Sequence, residues 1–388
     1  MKPTNQRDQT GIFGLVLSLS LWIMILHPCE AATVDSEGFR FAQPGYDFSF
    51  PRDHGSHPEF KIEWWYLTGH LWNEDRSRRF GYQATFFRRG VRPALPNNPA
   101  TPFGSSQVYL AHMTILDVQT KAFVYEERIN RNGWDAGADV ESLNVFNGNW
   151  FLKADPASTE SDKMTLLGSV RADALFELSL EATKPKVIFG KEGLSRKGKN
   201  PSAASHYITY PRLDTKGTLT FRGEIFQVQG QTWMDHEISS SQLDSGQVGW
   251  DWASVQLDGG QEIMVYVMRQ EDGSVDPFST LAWIDPNGTV THMGPDQFSW
   301  TKVDHWTSPH SKATYPIRSE LEFKHPSNGD SVRFRFSPLA SDQEIQGELG
   351  GIRYWEGACE VLDPDSKVIG SAYVELTGYD GKLRESLR

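Results

Sequence analysis

The segment Val228-x-Gly230-x-x-Trp233-Met234-Asp235 recurs as Val368-x-Gly370-x-x-Tyr373-Val374-Glu375, at a constant offset of 140 residues, and Gly217 and Gly357 extend the same register. A repeat of this kind means one unit used twice, with a seam near residues 238–248. Two hairpins support the duplication. Glu63–Leu71 turns at Asn73-Glu74-Asp75 into Tyr82–Arg88, and Trp250–Leu257 turns at Asp258-Gly259-Gly260 into Glu262–Met268. Both begin on an aromatic pair. The 34 Gly, 21 Pro and 12% aromatic residues fit short strands joined by tight turns, and helical periodicity is sparse. An all-β chain must dispose of its sheet edges, so two closed or nearly closed antiparallel barrels are expected, with a pair of jelly rolls or sandwiches as the alternative.

Residues 1–31 carry Lys2 and Arg7, an uncharged apolar run from Gly11 to Leu26, and Cys29-Glu30-Ala31 with small residues where a signal peptidase needs them. A secretory signal cleaved near Ala31 is expected, and the run is short for a single-pass anchor. The units are then 32–240 and 241–388, and the product is periplasmic or secreted. Cleavage leaves Cys359 as the only thiol, so no internal disulfide can form. Its apolar flanks mark it as a core residue. A net charge of −12, from 38 basic and 50 acidic residues, disfavours nucleic acid as a partner. The insertion Glu181–Ser205, with Lys184, Lys186, Lys191, Arg196, Lys197 and Lys199, reads as a solvated loop, or as a contact for an anionic headgroup.

Chemistry concentrates at Trp233-Met234-Asp235-His236-Glu237. On a strand, Asp235 and Glu237 share one face and His236 takes the other. Desolvation in an apolar cavity would raise the proton affinity of Asp235 and suit it to donate a proton to an alkene or leaving group, while His236 could orient a carboxylate or activate water. The alternative is a purely structural tie between the two units. Trp250-Asp251-Trp252 presents two indoles on one face with Asp251 opposite, and Glu63-Trp64-Trp65-Tyr66 sets another acid beside aromatics. Such indoles either plug a barrel or stabilise a cation formed over their faces. His206, Tyr207 and Tyr210 lie on a strand that could wall the same cavity. Metal-ligand spacings, phosphate-binding glycine loops and a Gly-x-Ser-x-Gly elbow are all missing from the sequence, so neither a metal nor a cofactor is expected. Ester hydrolysis rests only on the closeness of Ser239 to His236.

Five blocks carry a resemblance: Glu63–Gly69, Ser205-His206-Tyr207, Trp233–Glu237, Gly249–Trp252 and Tyr354–Ala358. In this order they resemble the AttH-like and carotenoid hydratase (CrtC-like) family across roughly residues 40–380. The resemblance implies two tandem lipocalin-like (calycin) antiparallel β-barrels packed together. For the AttH branch it implies export and an association with lipid-type ABC transporters. For the hydratase branch it implies cofactor-free, acid-catalysed addition of water to an acyclic carotenoid, with the acidic and His residues of an Asp-His motif falling on Asp235 and His236. This chain departs from the hydratase pattern at Ile238, where an aromatic is expected.

The expected function is exported binding of a long hydrophobic lipid or isoprenoid near the junction of the two units, with hydratase or isomerase activity carried by Asp235 and His236. Glu63, Trp65, Tyr66, His206, Tyr207, Tyr210, Trp233, Glu237, Trp250, Asp251 and Trp252 are the expected ligand contacts. A non-catalytic carrier serving an ABC transporter is the alternative.

Overall fold

The computed structural model describes residues 33–93, 106–158, 161–381 and 383. The apolar run and cleavage site of the expected signal lie outside these residues. In the first half the strands are β1 (Ile62–Asn73), β2 (Arg79–Gly90), β3 (Gln107–Asp117), β4 (Ala122–Arg131), β5 (Ala136–Ala138), β6 (Asn144–Asn147), β7 (Trp150–Ala154), β8 (Lys163–Val170), β9 (Ala174–Ala182), β10 (Val187–Phe189), β11 (Ser195–Arg196), β12 (Ala204–Phe221) and β13 (Glu224–Ser241). In the second they are β14 (Gln247–Leu257), β15 (Glu262–Gln270), β16 (Thr280–Ile284), β17 (Val290–Met293), β18 (Phe298–Thr307), β19 (Thr314–Lys324), β20 (Ser331–Pro338), β21 (Glu344–Gln346), β22 (Arg353–Leu362) and β23 (Val368–Thr377). One 3-10 turn, Arg52–His54, precedes them.

Each half is one curled antiparallel sheet, and the strand orders correspond. The first runs β4-β3-β2-β1-β13-β12-β9-β8-β7-β6-β5 and the second β17-β16-β15-β14-β23-β22-β20-β19-β18. In the first sheet β4 curls round to lie beside β5 and β6, which makes a near-barrel. Each curl is filled by its own side chains: Trp65, Leu67, Phe80, Tyr82 and Trp150 among others in the first, and Val255, Tyr315, Phe336 and Trp355 in the second. Cys359 belongs to that second core. A third apolar cluster, with Tyr66, Tyr207, Trp233, Trp252 and Tyr266, lies where the two sheets pack together.

The repeated segment forms β13 and β23, and the register explains why it repeats. Tyr66 of β1 faces Asp235, and Trp252 of β14 faces Glu375. On the other side, Thr209 faces Asp235 while Glu356 faces Glu375. The extension of the repeat to Gly217 and Gly357 therefore fails in three dimensions. Gly217 pairs with Val228, whereas Gly357 pairs with Val374, deep in β23. The cause is turn length: β12 reverses tightly from Phe221 to Glu224, but β22 reaches β23 only from Leu362 to Val368.

The Glu181–Ser205 insertion is not simply solvated. Its Lys184 is buried and donates to the carbonyls of Gly260 (2.9 Å) and Asp285 (2.6 Å) and to the carboxylate of Glu262, which Arg212 also holds at 2.6 Å. Lys197 is buried against Glu237 at 3.0 Å. A lysine taken out of water needs such partners; those of Lys184 tie the insertion to the second sheet, and that of Lys197 holds it to β13 of the first.

Candidate functional site

A cavity opens between the two sheets, outside both filled curls. Trp64, Tyr66, Phe87, Trp250, Trp252, Tyr266 and Met268 supply most of its wall, and Lys197, Asp235, Tyr354 and Glu375 supply its polar groups. The pleat decides which motif residues reach it, because alternate residues of a strand face opposite ways. On β1, Trp64 and Tyr66 face the cavity. On β13, Asp235 faces it with Trp233 and Glu237 alongside, and on β14 both indoles face it.

Asp235 is 2% exposed. Its Oδ1 accepts from Thr209 Oγ1 (2.5 Å) and Trp233 Nε1 (2.7 Å), and its Oδ2 accepts from Tyr207 Oη (2.7 Å). Trp252 Nε1 in turn donates to Tyr207 Oη at 3.1 Å, which ties the acid to the second sheet. Burial pushes the carboxyl up to about 7, against the three donors, which favour the ionised form, and with help from the nearby Glu237. Tyr207→Phe removes one donor to the ionised form. It is expected to raise the Asp235 midpoint further, by about one to two pH units, read from carboxyl resonances in ¹³C NMR across the titration.

The other face of the same strands does different work. Glu63 is fully buried. It accepts from Arg88 Nε (2.7 Å) and the His57 backbone N–H (3.0 Å), and it bonds His57 Nδ1 (2.8 Å) and His236 Nε2 (3.0 Å). Burial acts to raise it, but the Arg88 guanidinium and the two imidazoles hold it well below the usual carboxylate range. His57 is raised despite its burial by Asp53 and Glu63, whereas burial lowers His236. Among the described residues His236 Nδ1 has no partner, which fits a neutral ring that donates from Nε2. Trp65 stacks on His236 at 4.7 Å and donates to His54 O, and Tyr210 Oη bonds His54 Nε2. His206 packs on Tyr46 and bonds Gly193 O.

Five expected site residues, Glu63, Trp65, His206, Tyr210 and His236, thus hold the N-terminal segment 46–60 and the loop at Gly193 instead of lining the cavity. His236 does not touch Asp235. Asp251 points into the second sheet, where it meets Arg269 (3.0 Å), Lys302 (3.4 Å) and Tyr379 (2.9 Å). Ser239 donates to Ala204 O and Ser241 O and has no bond to His236, so the Ser–His arrangement that ester hydrolysis would need is not formed. Although the sequence has no metal-ligand spacing, His57, Glu63 and His236 bring ligand atoms within 4.8 Å of one another. Arg88 already neutralises Glu63 there, and a second cation would meet that guanidinium.

Lys197, Tyr354 and Glu375 were not among the expected contacts. For Glu375 the sequence held a signal in its repeat position, which matches that of Asp235, and Tyr354 opens one of the five resemblance blocks.

Comparison with known proteins bears on this geometry. The model of the family described as AttH-like matches residues 41–379. The chain belongs to this family. A putative AttH from Nitrosomonas europaea is 30% identical, with a TM-score of 0.77, over 88% of this chain and 100% of that one. Kievitone hydratase from Nectria haematococca shares the fold at 16% identity and a TM-score of 0.63, over 90% of this chain and 97% of that one. Part of the chain also matches the ceramide-binding protein SVF1 of Debaryomyces hansenii, 22% identical over 167 residues, which is 40% of this chain and 44% of the relative's length. In this AttH-like chain the cavity sits where the two duplicated sheets meet, with a buried acid on its wall.

Proposed function

We propose that this AttH-like protein binds a long hydrophobic molecule, an isoprenoid or lipid, in the cavity between its sheets, and that Asp235 delivers a proton to an alkene of that molecule in a cofactor-free hydration or isomerisation. The observation that carries the reading is a carboxyl held near neutral proton affinity on an aromatic wall. A proton donor works best when its affinity lies near the working pH. The carbocation left by protonation would lie over the indole faces of Trp250 and Trp252, whose ring quadrupoles attract positive charge. The hydratase among the proteins of like fold and the ceramide-binding relative support a hydrophobic ligand.

A second reading, in which the protein carries a lipid without transforming it and passes it to an ABC transporter outside the cytoplasm, is favoured by the ceramide-binding match. Native mass spectrometry of the protein as purified, followed by solvent extraction, tests binding. One apolar molecule per chain is the expected result. A protein that is empty, and whose tryptophan emission is not quenched by micellar squalene or ceramide, overturns it. Trp252→Ala removes an indole from the wall and is expected to weaken squalene binding about 10-fold or more, a loss of about 1.4 kcal/mol in the same quenching titration.

A further inference from the structure

The duplication puts a second acid on the same cavity. Glu375 lies on β23 at the position Asp235 holds on β13, and each acid is cross-strand partner to an aromatic that lines the cavity, Tyr66 for Asp235 and Trp252 for Glu375. Those two rings meet edge to face at 5.2 Å, so the acids belong to a single site with one from each sheet. Trp250 Nε1 donates to Glu375 Oε2 at 2.8 Å, and Oε1 has no hydrogen-bond partner among the described residues.

Next to it, Glu356 faces Glu375 across the strands, is fully buried, and receives the Tyr66 hydroxyl at 2.6 Å. Its Oε2 has no partner among the described residues. Burial and the neighbouring Glu375 hold Glu356 well above the usual carboxylate range, so Glu356 keeps its proton and Glu375 is the member of the pair free to exchange one. Two carboxyls this close do not both ionise.

We infer that Glu375 is the second acid–base residue of the site, the group that takes the proton from the attacking water. This rests on Asp235 acting as the proton donor. Asp235 gives its proton to one alkene carbon, and the π pair becomes the new C–H bond. The oxygen of a water molecule bonds the adjacent cationic carbon, and the Glu375 carboxylate accepts the proton that this oxygen loses. The product is a tertiary alcohol. Asp235 is left ionised and Glu375 protonated, and exchange of one proton with solvent at each restores the starting state. Burial pushes Glu375 up to about 7, so near neutral pH a large fraction is ionised and available as a base.

The test uses the full chain with squalene and lycopene in detergent micelles in ¹⁸O-labelled water, with the alcohol read by mass spectrometry. Wild type is expected to form labelled alcohol. Glu375→Gln and Glu375→Ala are expected to lower kcat about 10²- to 10⁴-fold with little change in KM. Added formate is expected to restore much of the activity of Glu375→Ala and none to Asp235→Asn. If Glu375→Ala does not fold, the near-isosteric Glu375→Gln decides. Glu375 variants that hydrate as fast as wild type overturn the role of Glu375 and leave the donor role of Asp235 standing. A wild type that binds both polyenes yet leaves them unreacted overturns the donor role, and the Glu375 role with it.

Discussion

Asp235→Asn should bind the hydrophobic ligand as wild type does and turn it over about 10²- to 10⁴-fold more slowly, which is the range lost with a general acid. Asparagine fills the same space and can still accept from Trp233 and Thr209, so the cavity wall is preserved while the transferable proton is gone. Single-turnover kinetics beside a binding titration separates the two effects. An unimpaired variant would overturn the donor role of Asp235 and assign the proton transfer to another group on the cavity wall. A variant that loses binding in proportion to turnover would make Asp235 a ligand contact with no chemical role.

The same substitution has a signature that needs no substrate. Asp235 is raised from its ordinary 3.8 to about 7. Between those values the folded protein holds a proton that the unfolded chain has released, so the stabilising contribution is full below about pH 4 and is lost as pH rises towards 7. The cost of keeping this carboxylate ionised in the fold reaches about 4 kcal/mol above that window, at 1.36 kcal/mol for each pH unit. Glu375 and Glu356 act in the same direction. Urea denaturation is therefore expected to find Asp235→Asn more stable than wild type at pH 8 and no more stable at pH 4.

Much of this arrangement could be read from the chain before any coordinates. The repeat fixes a duplicated architecture because β13 and β23 are the strands around which each sheet is ordered. The alternation of Trp233, Asp235 and Glu237 against His236 follows from the pleat alone. What the sequence could not supply is which face looks at the cavity and which at the N-terminal segment. Glu63 and Tyr66 are three residues apart in one strand, yet one is sealed beneath Arg88 and the other lines the cavity. That choice depends on packing between segments far apart in sequence, 46–60 on one side and the whole second sheet on the other. Lys197 was hidden for the opposite reason: a basic residue among Gly, Pro and Ser looks solvated until Glu237, on a distant strand, closes over it.

The largest stability effect is expected at the hidden face. Arg88 is fully buried, pairs with Glu63 through Nε, and donates through Nη2 to the carbonyls of His57 and Phe60 at 2.8 Å each. Arg88→Met keeps most of the side-chain length but leaves Glu63 a buried carboxylate without its guanidinium, and strips the Phe60 carbonyl of this donor, while the His57 carbonyl keeps the Phe60 backbone N–H at 3.0 Å. Removing one partner from a buried pair costs about 3–5 kcal/mol, and in a chain of this size the melting temperature should fall by roughly 5 °C. Glu63→Gln in the same chain removes the uncompensated charge and is expected to restore part of the loss, which a double-mutant cycle measures directly. Below its melting transition Arg88→Met should still bind the ligand with the wild-type Kd, because Glu63 and His236 turn away from the cavity that Tyr66 and Asp235 line on the same two strands. A folded Arg88→Met protein that failed to bind would mean instead that the N-terminal segment shapes the ligand site through those strands.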